Sequence, residues 1–209
     1  WNEDLKWARP YISENRRGAR PRSFLDILKL GDLVWLSKDN ITKTISLTQI
    51  PEAQSALISI DPKSGSILAS VGGYDFFLSK FNRVEQASPL LGSNFKPFLY
   101  AAAFSDGFTP SSLINDAPII FEDEALEEKW RPRNASGKFY GPTRLREGLV
   151  QSRNLVSVRL LREMGVEKVR GFAEKFGFDK QRLPADLSLS LGTASLNPLS
   201  NAVAYSVFA

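Results

Sequence analysis

Residues 91–104 read LGSNFKPFLYAAAF. The second half, LYAAAF, is Ala-rich and apolar and predicts a buried helix. Its beginning decides what kind of helix this is. Proline is tolerated in the first helical turn, where its missing N–H has no intrahelical partner to lose, so Pro97 dates the start to within a turn of Ser93. Gly92 supplies the turn before it, and Ser93 suits an N-cap or first-turn position. Lys96 then follows one turn on, on the same face as Ser93. A cation is the wrong sign for the positive end of a helix dipole, so its presence needs a reason. The helix field and partial burial both favour the neutral amine, and a neutral lysine beside a serine can take its proton.

Composition narrows the chemistry further. The 209 residues are 43% hydrophobic and 24% charged, which reads as an ordinary globular protein with a real core. Cysteine and histidine are both absent, which removes thiolate catalysis, a Ser-His-Asp triad and most zinc sites. A nucleophilic serine here needs another base, and lysine is the leading candidate. Ser93 and Lys96 are the only Ser-x-x-Lys pair in the chain. No cofactor or metal is expected. The net charge of +4 is a mild preference for anionic surroundings. No apolar run is long enough for a transmembrane helix. The abrupt start at Trp1 and the end within an apolar helical pattern read as an excerpt of a longer chain.

Along the chain, residues 1–50 hold short apolar pieces broken by turn residues. DLVWLS around Trp35, with the alternating Ile45 and Leu47, predicts strands of a small β module. The arginines of RRGARPR (Arg16, Arg17, Arg20, Arg22) are expected in a solvated loop. Past Pro51, SALISIDP and GSILASVGG predict a hairpin that turns at Asp61, Pro62 and Gly65, with Gly72 and Gly73 ending its second strand. Helices are predicted over TRLREGLVQS, over LVSVRLLREMG with Gly165 as its stop, over VEKVRGFAEKFG with Gly177 as its stop, and after Pro198.

Together GSNFKPFLYAAAF, WRPRN, GPTRLREGLVQSRN and LSLGTASLNPLSNAVAYSVFA resemble the transpeptidase domain of the class A, bifunctional penicillin-binding proteins. KWARPYIS and GDLVWL resemble the OB-like inserted domain of the Gram-negative 1a branch. The resemblance implies an α+β fold: part of the β-lactamase-like transpeptidase fold over residues 51–209, and part of an OB-like β domain over residues 1–50. It implies that Ser93 is the acylated nucleophile and Lys96 the group that takes its proton. Ser152 and Asn154 in QSRN match the family's Ser-x-Asn motif, in which Ser152 relays a proton to the leaving group and Asn154 binds the stem-peptide amide. Lys96 is therefore expected within reach of the Ser93 hydroxyl, directly or through one water, and Asn154 beside the same cleft.

The family's third motif, Lys-Thr/Ser-Gly, lies downstream of the second, and here that order fails. KTI at Lys43 lacks the glycine, and KSG at Lys63 sits in the hairpin turn. The site in this chain is thus expected to be incomplete and the chain alone a poor enzyme. Trp130–Asn134 reads either as a cleft rim or as a surface turn, and Gly192 and Thr193 as helix start and core packing.

The implied activity is acyl transfer from a peptidoglycan stem peptide during cell wall cross-linking, with β-lactams as mimics and a parent that also carries a glycosyltransferase. No Glu-x-x-Leu-Asn follows between the motifs, which favours transfer over β-lactam hydrolysis. The implied location is the periplasm, with the parent anchored in the inner membrane and a lipoprotein activator or another domain meeting the OB-like module. From a different class comes a binding module, in which Trp7, Tyr11, Trp35 and the arginine run take single-stranded nucleic acid by stacking and charge; those aromatics serve equally as core, and no nucleic-acid partner is expected.

Overall fold

Among the described residues each strand pairs antiparallel with its neighbour in sequence, three times across a short turn and once across a longer connection. The computed structural model describes residues 5–119 and 130–209, so the first four residues of the expected β module lie outside them. The chain forms two compact units, Trp1–Gln54 and Ser55–Ala209. In the first, β1 (Tyr11–Ser13) pairs with β2 (Arg16–Arg17), and β3 (Trp35–Lys38) with β4 (Ile45–Thr48). Arg16 and Arg17 are thus strand residues, not loop. Tyr11 and Ser13 leave room for a two-residue turn, and the Arg17 guanidinium closes it by donating to the Ser13 carbonyl at 2.7 Å and lying 4.9 Å over the Tyr11 ring. Trp7, Tyr11 and Trp35 are exposed and add nothing to a core.

The second unit begins with the expected hairpin, β5 (Leu57–Ile60) and β6 (Ile67–Val71), in antiparallel register. Its turn is tied by Gly65 N–H donating to the Asp61 carbonyl at 2.8 Å and by Lys63 N–H donating to the Asp61 carboxylate at 3.0 Å. Lys63, Ser64 and Gly65 are turn chemistry, as their position suggests. A second hairpin has no signal in the sequence: β7 (Leu113–Asp116) pairs with β8 (Gly141–Arg144). Thr143 and Arg144, expected in a helix, therefore lie in a strand. Strand pairing wins there because β7 alternates exposed Leu113 and Asn115 with buried Ile114 and Asp116, and Thr143 packs its side chain on the buried face.

The described residues of this unit also form five α-helices: α1 (Lys96–Ser105), α2 (Leu145–Val150), α3 (Asn154–Met164), α4 (Val166–Ala173) and α5 (Pro198–Ser206). Gly165 and Gly177 stop α3 and the α4 region with φ of 84° each, a conformation glycine adopts without strain. The architecture is α+β. Helix α1 runs through the core, burying Phe98, Leu99, Tyr100, Ala102 and Ala103, and α3 contributes Val156, Leu160, Leu161 and Met164 to the same cluster. Phe98 is the hub, with ring centroids of Phe178, Phe176, Tyr205 and Phe208 at 4.7, 5.1, 5.2 and 5.3 Å. Among the described residues no helix is long and apolar enough to cross a membrane.

The segment before α1 is fixed from behind. Leu91 N–H donates to the Ala194 carbonyl and Gly92 N–H to the Gly192 carbonyl, both at 2.9 Å, while Leu196 N–H donates to the Pro89 carbonyl at 3.1 Å. Gly192 sits at φ 73° so close that a Cβ there would lie 1.9 Å from the Gly92 carbonyl oxygen. Its role is close backbone approach rather than a helix start. Gly192→Ala should therefore destabilise by about 2–4 kcal/mol in urea unfolding. The control is Gly171→Ala, within α4 with nothing within 4 Å of its Cβ, which should stabilise by about 0.5–1 kcal/mol.

Candidate active site

Residues Gly92–Phe95 form one turn of 3₁₀-helix that runs straight into α1, whose first turn holds Pro97. Ser93 lies in that turn and does not cap the helix, since no side-chain cap bond is made there. Its hydroxyl is exposed and accepts from Ser152 Oγ at 3.0 Å.

Lys96 is buried in the first turn of α1, at 1% exposure. Its ammonium has three hydrogens, and it donates to the Ser152 carbonyl at 2.7 Å, to Ser152 Oγ at 3.0 Å and to Asn154 Oδ1 at 2.7 Å. All three acceptors come from one turn, 152–154, between α2 and α3. No bond runs from Lys96 to Ser93. The expectation of a direct or water-bridged link is thereby corrected: a serine hydroxyl stands where a water was allowed for. Burial brings the Lys96 pKa down to about 8 from an ordinary 10.5. One turn further along α1, Tyr100 is pushed up to about 12, by burial, and its hydroxyl lies 3.4 Å from Ser157 Oγ on α3.

The structure thus brings together all four residues singled out in the sequence: Ser93, Lys96, Ser152 and Asn154. Neither Ser152 nor Asn154 caps α3. The capping position is Arg153, which makes no side-chain cap bond, and Ser152 holds a left-handed φ of 51°. The cap comes from elsewhere. Asn134 Oδ1 accepts from Asn154 N–H at 2.9 Å and Leu155 N–H at 3.2 Å. WRPRN lies beside the site: its Asn134 is buried at the head of α3, and the Arg133 carbonyl accepts from Asn154 Nδ2 at 2.9 Å, so the segment is more than a surface turn. Buried Asp116, which no sequence pattern singles out, accepts from Asn134 Nδ2 at 2.7 Å and pairs with Arg153 Nη1 at 3.2 Å. Of the two near-matches to a third motif, Lys63–Gly65 is the turn of the β5–β6 hairpin and Lys43 lies in the β3–β4 turn.

An exposed hydroxyl, a second hydroxyl 3.0 Å away and a buried amine with a lowered pKa form a path along which a proton can leave the first oxygen. Such a path is the one that activation of a serine by a lysine would use. Comparison with known proteins gives the family. Residues 56–208 match the penicillin binding protein transpeptidase domain and residues 1–53 the penicillin-binding protein OB-like domain. Penicillin-binding protein 1A of Pseudomonas aeruginosa is 48% identical over 99% of this chain and 25% of its own length, and that of Escherichia coli is 44% identical over 99% and 24%. The crystal structure of penicillin-binding protein 1A from Haemophilus influenzae superposes with a TM-score of 0.81 at 40% identity, covering 87% of this chain and 27% of that one. A penicillin G acyl-enzyme complex of penicillin-binding protein A from M. tuberculosis shares the fold, with a TM-score of 0.61 at 24% identity over 74% of this chain and 45% of that one. The chain belongs to the penicillin-binding proteins, in their class A, 1A branch, and carries transpeptidase and OB-like sequence. It spans about a quarter of the length of those curated relatives.

The lowered pKa of Lys96 has a consequence for stability. The unfolded chain, with an ordinary lysine, binds this proton more tightly than the folded one, so the Lys96 contribution to stability rises with pH between about 8 and 10.5. Relative to Lys96→Met, the wild-type chain should gain about 2–3 kcal/mol of unfolding free energy from pH 7 to pH 10, measured by urea denaturation at each pH.

Proposed function

We propose that this sequence carries the acylating part of a serine D,D-transpeptidase that cross-links peptidoglycan. The observation that carries the reading is the unbroken line from Ser93 Oγ through Ser152 Oγ to Lys96 Nζ. With Lys96 neutral, the Ser93 proton passes to Ser152 Oγ as the Ser152 proton passes to Lys96 Nζ. Ser93 Oγ forms its bond to the penultimate D-Ala carbonyl carbon of a stem peptide, and a tetrahedral oxyanion results. On collapse the C–N bond to the terminal D-Ala breaks, and the proton returns from Lys96 through Ser152 to the departing nitrogen. A neighbouring stem amine then attacks the ester carbonyl carbon, the C–O bond to Ser93 breaks, and the amine's surplus proton passes through Lys96 and Ser152 to Ser93 Oγ. Asn154 keeps one amide hydrogen and one lone pair beyond its bonds to the Arg133 carbonyl and Lys96, and these suit the stem-peptide amide. A β-lactam enters the same way, with its ring nitrogen as the leaving group.

Completion of the oxyanion hole and of the substrate-carboxylate site belongs, in this family, to a Lys-Thr/Ser-Gly strand. Neither near-match supplies it from a hairpin turn, and one missing oxyanion donor costs about 10²–10³ in rate. The 209 residues alone are therefore expected to acylate slowly. In the longer polypeptide we place the site in the periplasm, with an inner-membrane anchor and a glycosyltransferase elsewhere in the chain, and a lipoprotein activator or another domain at the OB-like module. Nucleic-acid binding by that module is set aside, because its sequence matches the OB-like domain of penicillin-binding proteins.

The test is labelling of the natural polypeptide that carries this sequence with a fluorescent penicillin, read by mass spectrometry. One label should sit on Ser93 and vanish in Ser93→Ala. The labelling rate should rise with pH, with a midpoint near 8 where half of Lys96 is neutral. Label retained in Ser93→Ala would remove Ser93 from the mechanism.

A further inference from the structure

We propose that Asn134 and Asp116 are positioning residues, which hold the 152–154 turn over Lys96 so that the Ser152 hydroxyl bridges to Ser93. The inference rests on the acyl-transfer reading for its catalytic consequence, but its structural basis is independent.

Ser152 occupies a left-handed backbone conformation, φ 51°, that costs a non-glycine residue on the order of 1 kcal/mol and persists where its surroundings over-determine it. Those surroundings can be named. Helix α3 provides no cap of its own, and Asn134, 20 residues upstream, fills the place with one oxygen that takes two orphan N–H groups. Those N–H groups belong to Asn154 and Leu155, directly after the residue whose hydroxyl forms the bridge. The Asn134 amide has a defined orientation. Its Nδ2 donates to Asp116 Oδ1 at 2.7 Å and to the Lys138 carbonyl at 2.9 Å, so Oδ1 must face the helix.

Asp116 is fully buried, and a buried carboxylate requires complete pairing. One oxygen holds Asn134 and the other holds Arg153, whose guanidinium also lies 3.4 Å from the centre of the Tyr140 ring. Glu147 reaches the other Arg153 nitrogen at 3.7 Å. Arg153 is the middle residue of the turn, so its side chain anchors the turn from behind while Ser152 and Asn154 face Lys96. An ordinary helix cap would stabilise α3 and do no more. This one is placed on the segment that supplies every acceptor of the Lys96 ammonium.

The test uses Asn134→Ala and the isosteric Asp116→Asn in the natural polypeptide. Two quantities are followed: the rate of acylation by a fluorescent penicillin, and the titration of the Lys96 ε-carbon by ¹³C NMR, assigned by its loss in Lys96→Met. Charged and titratable groups facing this region are Tyr100 on α1, and Arg153, Asp116 and Glu147 behind the turn. If the turn loosens, water reaches Lys96. Acylation should then fall about 10- to 100-fold in Asn134→Ala and less in Asp116→Asn, at temperatures where both remain folded by circular dichroism. The Lys96 midpoint should move up from about 8 towards 10.5, which a cap serving only α3 stability would not cause. Should Asn134→Ala fail to fold, Asp116→Asn carries the comparison. Wild-type rates and an unmoved midpoint in the folded variants would overturn the proposal. A wild-type protein that takes no label at Ser93 would instead overturn the acyl-transfer reading, and the NMR titration would still decide whether Asn134 positions the turn.

Discussion

Burying an ammonium costs several kcal/mol unless each of its hydrogens finds an acceptor. Lys96 meets that demand within a single turn, through the Ser152 carbonyl, the Ser152 hydroxyl and Asn154 Oδ1. Much of the second unit can be read as the means of bringing that turn to that lysine. Helix α1 is held by its packing, with Phe98, two residues beyond Lys96, set among five aromatic rings. The turn must come to the helix, and α2 and α3 deliver it. Gly148 in α2 has no room for a side chain, since a Cβ would lie 2.7 Å from Val156 of α3 and 2.9 Å from the Tyr100 hydroxyl.

The same constraint separates the lysine from the serine it serves. Three donors are spent on the 152–154 turn, so the connection to Ser93 passes through a hydroxyl that can accept from one neighbour while donating to the other. This arrangement suits a proton that must travel out during acylation and back to a leaving group. It also makes the Ser93 turn and the Ser152 turn two halves that need independent support. The first is backed by the close Gly92–Gly192 approach, the second by Asn134, Asp116 and Arg153.

How much of this the sequence discloses depends on the range of the interaction. Pro97 and Gly92 mark the head of α1 locally, Gly165 and Gly177 mark helix stops, and Asp61 with Gly65 marks a turn. Ser93, Lys96, Ser152 and Asn154 are legible because they fall in motifs of a recognisable family. The β7–β8 hairpin escapes because its strands are four residues each and separated by more than twenty others, so neither carries a periodic signal long enough to read. Asp116 escapes for the same reason. Asn134 is conspicuous in WRPRN, but its capping of a helix twenty residues away is a tertiary fact with no local signature. The direct or water-bridged Ser93–Lys96 link expected of a serine and its base is replaced by one through the Ser152 hydroxyl, because one-turn spacing places two residues on one face and does not say which acceptors a buried amine will choose.

The central claim is that Lys96 acts on Ser93 through Ser152. A double-mutant cycle on the acylation rate tests it most directly, with Lys96→Ala, Ser152→Ala and the pair compared in the natural polypeptide. If the two residues form one relay, removing the second adds little to the loss caused by the first, and the double variant is about as slow as the slower single one. Losses that multiply, as for two groups acting independently on Ser93, would contradict the account.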